Sequence, residues 1–393
     1  MSNIPKLRFP EFSGEWEEKK LDSLSLINPK PGDLPEVFSY IDLESVKNGV
    51  LLQEKIIKKE EAPSRAQRLL EEKDILFQTV RPYQRNNYFF NSKSPTIAST
   101  GYAQFRVNKN NYPSFLYQYL YTNNFVKNVL DRCSGTSFPA ISTNDLLEIC
   151  LYIPTFPEQQ KIAEFLSNVD SIITAETKIL NTLQKKKKAL MQKLFTRQLR
   201  FKSADGTDFP EWEEKKMSDI CSVNQGLQIA IENRLLEKKA NCYFYITNEF
   251  IKTGTKYKYY IENPPKNVLC TKDDILMTRT GNTGIVVTDI DGCFHNNFFK
   301  INYSRDLVIK GFLIQFFKLS TTQKRILVLA GSSTIPDLNH KDFYSLTIQL
   351  PCKAEQQKIA DCLSSMDSLI QTQQKVVTTW QQRKKALLQQ MFV

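Results

Sequence analysis

Glu158–Phe195 reads EQQKIAEFLSNVDSIITAETKILNTLQKKKKALMQKLF, and Glu355–Phe392 reads EQQKIADCLSSMDSLIQTQQKVVTTWQQRKKALLQQMF. Aligned without gaps at an offset of 197, they agree at 20 of 38 positions. That fidelity makes the chain a tandem repeat, and a repeat decides architecture before any local signal does. In the first copy Ile162, Leu166, Val169, Ile173, Leu180, Leu183, Leu190 and Leu194 are spaced by three, four and seven. Taking Ile162 as position a of a heptad, the second copy places Ile359, Met366, Trp380 and Leu387 at a. It places Leu363, Ile370, Val377 and Met391 at the second apolar position. The pattern predicts two long helices with a coiled-coil seam. Polar breaks coincide in the two copies, Glu176 with Gln373 and Lys187 with Lys384, which predicts an antiparallel pair whose breaks set the register. Thr155-x-x-Glu158 with Pro157 in the first turn predicts a capping box, while Cys352 stands where Thr155 would be in the second copy.

Working outward, the repeat continues upstream in weaker form. Trp16-Glu-Glu-Lys-Lys20 returns as Trp212–Lys216, Asp74-Ile-Leu76 as Asp274–Leu276, and Gly135 as Gly331. Phe115, Leu116 and Gln118 return as Phe312, Leu313 and Gln315. The drifting offsets imply short insertions in loops. The expected order is a variable domain over 1–157, a helix over 158–198, a second variable domain over 199–354 and a helix over 355–393. Within each domain, apolar and β-branched runs such as Phe38–Leu43, Ile75–Val80, Phe244–Thr247 and Gly284–Thr288 predict strands. Ser114–Cys133 and Gly311–Ala330 each predict one amphipathic helix, followed by short strands at Ile149–Ile153 and Leu346–Leu350. The fold class expected is α+β: two similar domains and two long helices forming an antiparallel coiled coil, related by a pseudo-twofold tandem repeat.

The chain has 393 residues, with 41% hydrophobic and 24% charged, an ordinary globular composition. Lys and Arg total 53 against 42 Asp and Glu, a net charge of +11, which favours a polyanionic partner and nucleic acid first. Met1–Phe12 carries Lys6, Arg8 and Glu11 and has no apolar core of a signal peptide; no apolar run approaches a membrane span. A cytoplasmic location is expected. Eight cysteines fit reduced thiols there; none stands in C-x-x-C spacing, and His295 and His340 are the only histidines. No metal site and no cofactor is expected.

Enzyme signatures are weak. Asn263-Pro264-Pro265-Lys266 approaches the Asn/Asp-Pro-Pro-aromatic motif that grips a flipped adenine, but Lys266 replaces the stacking ring. No G-x-G occurs for a methyl-donor cofactor, and no phosphate-binding loop is present. The motif aligns with Glu61-Ala-Pro-Ser64, which predicts a plain turn. The chain is expected to be non-catalytic.

The polar loops are better placed. Thr79–Tyr88 follows the first Asp-Ile-Leu strand and carries Arg81, Tyr83, Gln84, Arg85, Asn86 and Asn87. Thr278–Gly284 follows the second and carries Arg279, Asn282 and Thr283. Arg, Asn and Gln are the side chains that read purine edges in the major groove. Two loops at one position with different sequences suit two readers of two different sites. Lys256, Tyr257 and Lys258 interleave bases with an aromatic and are candidates for phosphate contact.

Pro154-x-x-Pro157-Glu-Gln-Gln-Lys-Ile-Ala163 with Asp170, repeated as Pro351-x-x-x-Glu355-Gln-Gln-Lys-Ile-Ala360 with Asp367, resembles the conserved regions of type I restriction–modification specificity subunits. The Trp-Glu-Glu-Lys-Lys opening and the Asp-Ile-Leu strand are also similar to that family. The resemblance implies two target-recognition domains, each reading half of a bipartite DNA site, held apart by the helices. It implies modification (methyltransferase) subunits, two in number, and restriction (endonuclease and translocase) subunits as partners that carry the chemistry. It implies docking of modification subunits on the conserved helices, for which Glu158, Gln159, Ile162, Asp170, Glu355, Gln356, Ile359 and Asp367 are the candidates. The alternatives are a self-contained N6-adenine DNA methyltransferase and a two-headed coiled-coil scaffold for protein partners.

Overall fold

The computed structural model describes residues 3–30, 32–254, 258–331 and 335–393. The chain forms two compact units, Met1–Lys178 with Gln374–Val393, and Ile179–Gln373. Both long helices are therefore shared between units instead of standing apart from the domains, as boundaries at 158–198 and 355–393 would have them.

In the first unit, one four-stranded sheet has the order Lys55–Lys58, Val37–Ile41, Thr96–Ser99, Ala66–Leu69. Its central pair is parallel and its outer pairs antiparallel. A second, wholly antiparallel sheet has the order Ser25–Ile27, Tyr102–Val107, Ile75–Gln78, Tyr88–Phe89. A two-stranded ladder joins Glu17–Lys20 to Cys150–Ile153. Ile75–Gln78 is buried at every position because both faces are covered. Ile75 and Phe77 enter the main core, while Leu76 enters a smaller one with Ile41 and Tyr102, the two-residue period of a strand. Asp74, 1% exposed, anchors the strand by accepting from Glu71 N, Gln104 Nε2 and Arg106.

The second unit repeats this topology. Its sheets have the orders Tyr259–Glu262, Cys242–Ile246, Gly292–Phe294, Leu269–Cys270 and Cys221–Gln225, Phe298–Tyr303, Ile275–Thr278, Val286–Val287. The parallel pair recurs at the centre of the first, and Glu213–Lys216 pairs with Thr347–Leu350.

The single helices expected over 114–133 and 311–330 are each two. Pro113–Tyr119 gives way to Asn123–Leu130, where the Thr122 hydroxyl caps the second helix by accepting from Phe125 N. Lys310–Lys318 gives way to Ser320–Leu329 at the extended residue Leu319.

The central helix spans Phe156–Phe195 and the distal helix Lys353–Met391. Forty residues make a helix about 60 Å long. In the first unit Ile162, Ala163 and Leu166 share a core with Trp16, Phe115, Leu388, Met391 and Phe392. In the second, Met191 and Leu194 share one with Trp212, Phe312, Ile359, Ala360 and Leu363. The start of one helix meets the end of the other, so the pair is antiparallel. Among the described residues, no helix is long and apolar enough to cross a membrane.

Candidate functional site

Each unit clamps its domain onto the helix pair with the same set of polar side chains. Arg8 donates to both carboxylate oxygens of Glu158 at 2.7 Å, and Arg200 donates to both of Glu355 at 3.1 and 2.9 Å. Gln159 Oε1 accepts from Tyr112 N, and Gln356 Oε1 accepts from Ile309 N. Asp170 accepts from Gln118 of its domain and from Lys384 of the distal helix. Asp367 accepts from Gln315 and from Lys187 of the central helix. The polar breaks at Lys187 and Lys384 thus fall opposite an aspartate in each unit, which fixes the register.

These contacts correct the docking expectation for six residues. Glu158, Gln159, Ile162, Glu355, Gln356 and Ile359 are all 2% exposed or less. A side chain closed inside its own unit offers no surface to another chain. Asp170 and Asp367 are half-buried and already hold two partners each. The capping box is corrected too, since the Glu158 carboxylate goes to Arg8.

In the first unit's loop, Arg81 stands at φ 55°, a left-handed conformation uncommon outside glycine. Its backbone N–H donates to Pro139 O at 2.7 Å, and its guanidinium lies 4.2 Å from the Phe138 ring centre. Tyr83 and Gln84 are exposed, and Asn86 is half-buried. Arg85 turns inward, donating to Tyr121 O and Asn123 Oδ1, and burial lowers its pKa. Asn87 is 1% exposed and accepts from Gln78 N. Direct contact with DNA is therefore corrected for Asn87 by burial and for Arg85 by its internal bonds.

In the second unit Arg279 is bonded to Asp337 at 2.7 Å and to Leu338 O, and lies over Phe299. Thr283 is 5% exposed, and its hydroxyl lies 2.9 Å from both Arg279 O and Pro336 O, to either of which it can donate. Both hold the loop together, so the base-contact expectation is corrected for them. Asn282 and Lys258 are exposed. Lys256 and Tyr257 lie outside the described residues. Asn263-Pro264 is a turn, with Asn263 at φ 45° ahead of the short Lys266–Val268 helix.

Sequence reading missed the residues that hold this arrangement. Gln78 is 2% exposed; its Nε2 donates to Val80 O and Gln84 Oε1, and its Oε1 accepts from Asn86 N. Thr278, wholly buried, donates to Asn282 O and accepts from Ile285 N. Arg8 and Arg200 had a readable signal: Leu7-Arg-Phe9 returns as Leu199-Arg-Phe201 ahead of each Trp-Glu-Glu-Lys-Lys.

Comparison with known proteins adds the family. Residues 14–185 and 210–379 match the model of the type I restriction modification DNA specificity domain. The putative type I restriction enzyme MjaX specificity subunit of Methanocaldococcus jannaschii is 25% identical over 296 residues, covering 72% of this chain and 68% of that one. The MjaVIII specificity subunit of the same organism is 24% identical over 279 residues, covering 65% and 64%. The HindI specificity subunit of Haemophilus influenzae is 28% identical over 190 residues, covering 46% and 41%. Two solved structures share the fold over nearly their whole length. The type I restriction-modification system S subunit from M. genitalium has a TM-score of 0.60 at 16% identity, covering 99% of each chain. A chain from a type I R-M system solved to address complex assembly and conformational transition has a TM-score of 0.58 at 21% identity, covering 96% and 97%.

Proposed function

The chain belongs to the type I restriction modification DNA specificity domain family, and on that premise we propose that it is the non-catalytic specificity subunit of a restriction–modification complex. Each unit reads one half of a bipartite DNA site. The observation that carries this is the duplicated clamp beneath two different loops. Arg8–Glu158 and Arg200–Glu355 are one device made twice, whereas Arg81–Asn86 and Arg279–Thr283 share their position and differ in sequence. A duplicated scaffold with divergent loops suits two sequence readers in one chain.

The helices set the spacer between half-sites and dock modification subunits, and methyl transfer and cleavage lie in partner subunits. With the residues common to both copies buried, docking falls to helix surface that the units leave open. In the first unit Phe165, Val169, Ile172, Trp380 and Leu387 line an apolar groove of about 460 Å³ there.

Exchange of residues 1–157 for the equivalent domain of a relative tests the reading. The methylated motif in cells carrying the complete system should change in one half-site only. A hybrid that kept both original half-sites would place specificity elsewhere. The purified chain should bind DNA with a steep salt dependence, because Lys and Arg on phosphates release counterions, and should transfer no methyl group alone.

A further inference from the structure

The first unit's loop does not stand alone. Beside it, the hairpin Val46–Lys47 and Val50–Leu51 turns through Asn48 and Gly49 at φ 51° and 78°, the backbone signs of a type I′ turn. A side chain at Gly49 would meet the Tyr117 hydroxyl at 2.7 Å, so the tip is fixed by what lies beneath it. The hairpin grips the loop through Asn48 N, which donates to Asn86 Oδ1 at 3.1 Å. Leu43, Val46, Lys47, Asn48, Gln84 and Asn86 line a groove of about 410 Å³ between the two, with Glu44 the one acidic residue in its lining.

The amides along this groove have a fixed polarity. Gln78 is oriented by backbone groups at both ends, since Nε2 donates to Val80 O and Oε1 accepts from Asn86 N. Its remaining N–H therefore meets an oxygen, and Gln84 turns Oε1 inward to accept it at 2.8 Å. Asn86 turns Oδ1 across to Asn48 N of the hairpin. Both side chains have their carbonyl ends bonded within the unit and leave their amino ends for the groove. Reading adenine with Asn or Gln needs the amide oxygen for N6 and the amide nitrogen for N7. Here each oxygen already accepts one bond that directs it to a protein donor, and Lys47 adds a further donor that is exposed.

We propose that this groove is the base-reading site of the first unit and that Gln84 and Asn86, presenting donors only, select the acceptor edge of guanine. The proposal rests on the DNA-specificity reading above. Guanine offers O6 and N7 as two adjacent acceptors in the major groove. Glu44 suits the N4 amino group of the paired cytosine better than a phosphate.

The test selects binding sites from a random duplex pool, using the full chain co-expressed with its modification subunits. The first half-site should contain a guanine whose replacement by 7-deazaguanine, which lacks the N7 acceptor, weakens binding about tenfold. Gln84→Glu with Asn86→Asp exchanges donors for acceptors at nearly constant shape. That variant should lose its preference for the same guanine by about tenfold and keep the second half-site, which also shows that it is folded. A first half-site indifferent to 7-deazaguanine, or unchanged in the double variant, overturns the proposal while leaving DNA specificity standing. The 7-deazaguanine measurement decides even if the charged variant loses DNA altogether. Failure of the unaltered complex to enrich any sequence would bring down the DNA-specificity reading itself and this proposal with it.

Discussion

At the end of equivalent strands the first unit buries Gln78 and the second buries Thr278, and the two side chains hold their loops by different means. Gln78 spans three partners with an amide; Thr278 spans two with one hydroxyl. Three residues on, Arg81 and Gly281 both adopt positive φ, and both donate their N–H to a proline carbonyl, Pro139 or Pro336. The repeat keeps the task and lets the residue change. The buried polar side chains that clamp the helices, by contrast, keep even their identity: Gln118, Glu158 and Gln159 return as Gln315, Glu355 and Gln356. Selection on a loop needs only that it be held, whereas a buried carboxylate inside a helix clamp tolerates no substitute that leaves its arginine unpaired.

The clamps give the largest expected effects. Glu355→Ala leaves Arg200, whose side chain is 21% exposed, to the exposed Glu211 carboxylate 3.1 Å away, and it strands Trp212, whose Nε1 donates to Glu355 at 2.9 Å. Breaking a buried pair from one side costs about 3–5 kcal/mol. Glu158→Ala strands Arg8 alone, so its cost should be at the lower end of that range. Hydrogen exchange in the strands of each unit measures the two separately. Equal losses would mean that the indole bond adds nothing.

The tryptophans sharpen the same comparison. Trp16 Nε1 is buried without a partner among the described residues, whereas its counterpart Trp212 bonds a carboxylate. A hydrogen bond to a charged group contributes about 1.5–3 kcal/mol, so Trp212→Phe should cost that in addition to lost packing. Trp16→Phe removes an unsatisfied donor and should cost only the lost packing. Reversal of that order in chemical denaturation would overturn the assignment.

Much of this architecture was legible because it is periodic. The heptad seam, the duplicated helices and the matched breaks at Lys187 and Lys384 are sequence patterns, and each has a structural counterpart. Burial was harder to read. Glu158 and Gln159 look like surface residues by type; Glu158 is inside because Arg8 arrives from 150 residues away, and Gln159 because its amide meets Tyr112 N and Pro154 O. The loops failed for a related reason. Arg85, Asn87, Arg279 and Thr283 are good DNA-contact residues by chemistry, yet a tight loop needs polar side chains to satisfy its own backbone. Composition cannot tell a side chain that holds a loop from one that the loop presents.

A smaller effect lies in the helix pair. Burial alone would raise the Asp367 carboxyl, but the Lys187 ammonium and the Gln315 amide outweigh it and hold it below the usual aspartate range. A carboxyl depressed by folding stabilises above its unfolded value and ceases to as pH falls through the folded one. The contribution should be complete at neutral pH and fade below about pH 4. Asp367 is 41% exposed, so screening limits the pair to about 0.5–1 kcal/mol. Asp367→Asn should cost that much at pH 7 in urea unfolding and progressively less as pH falls below about 4. A cost that did not shrink with pH would assign the effect to packing.

The smallest stability change is expected at Arg81, where it separates function from folding. The left-handed conformation costs an L-residue roughly 1–2 kcal/mol, which glycine does not incur. Glycine in turn loses more freedom on folding, by about 0.5–1 kcal/mol. The two nearly cancel, so Arg81→Gly should leave the first unit as stable as before or slightly more so, as Gly281 does in the second. Arg81→Ala keeps the backbone strain and should be less stable than Arg81→Gly by up to about 1 kcal/mol. Both variants remove the guanidinium that lies over Phe138, a ring 62% exposed, and both should weaken recognition of the first half-site to the same degree. The second half-site should keep its base preference. Measuring unfolding of the first unit beside site selection by the full complex compares the two. A loss of recognition that followed stability across Gly and Ala would make Arg81 a folding residue, whereas equal losses at unequal stability assign it to DNA.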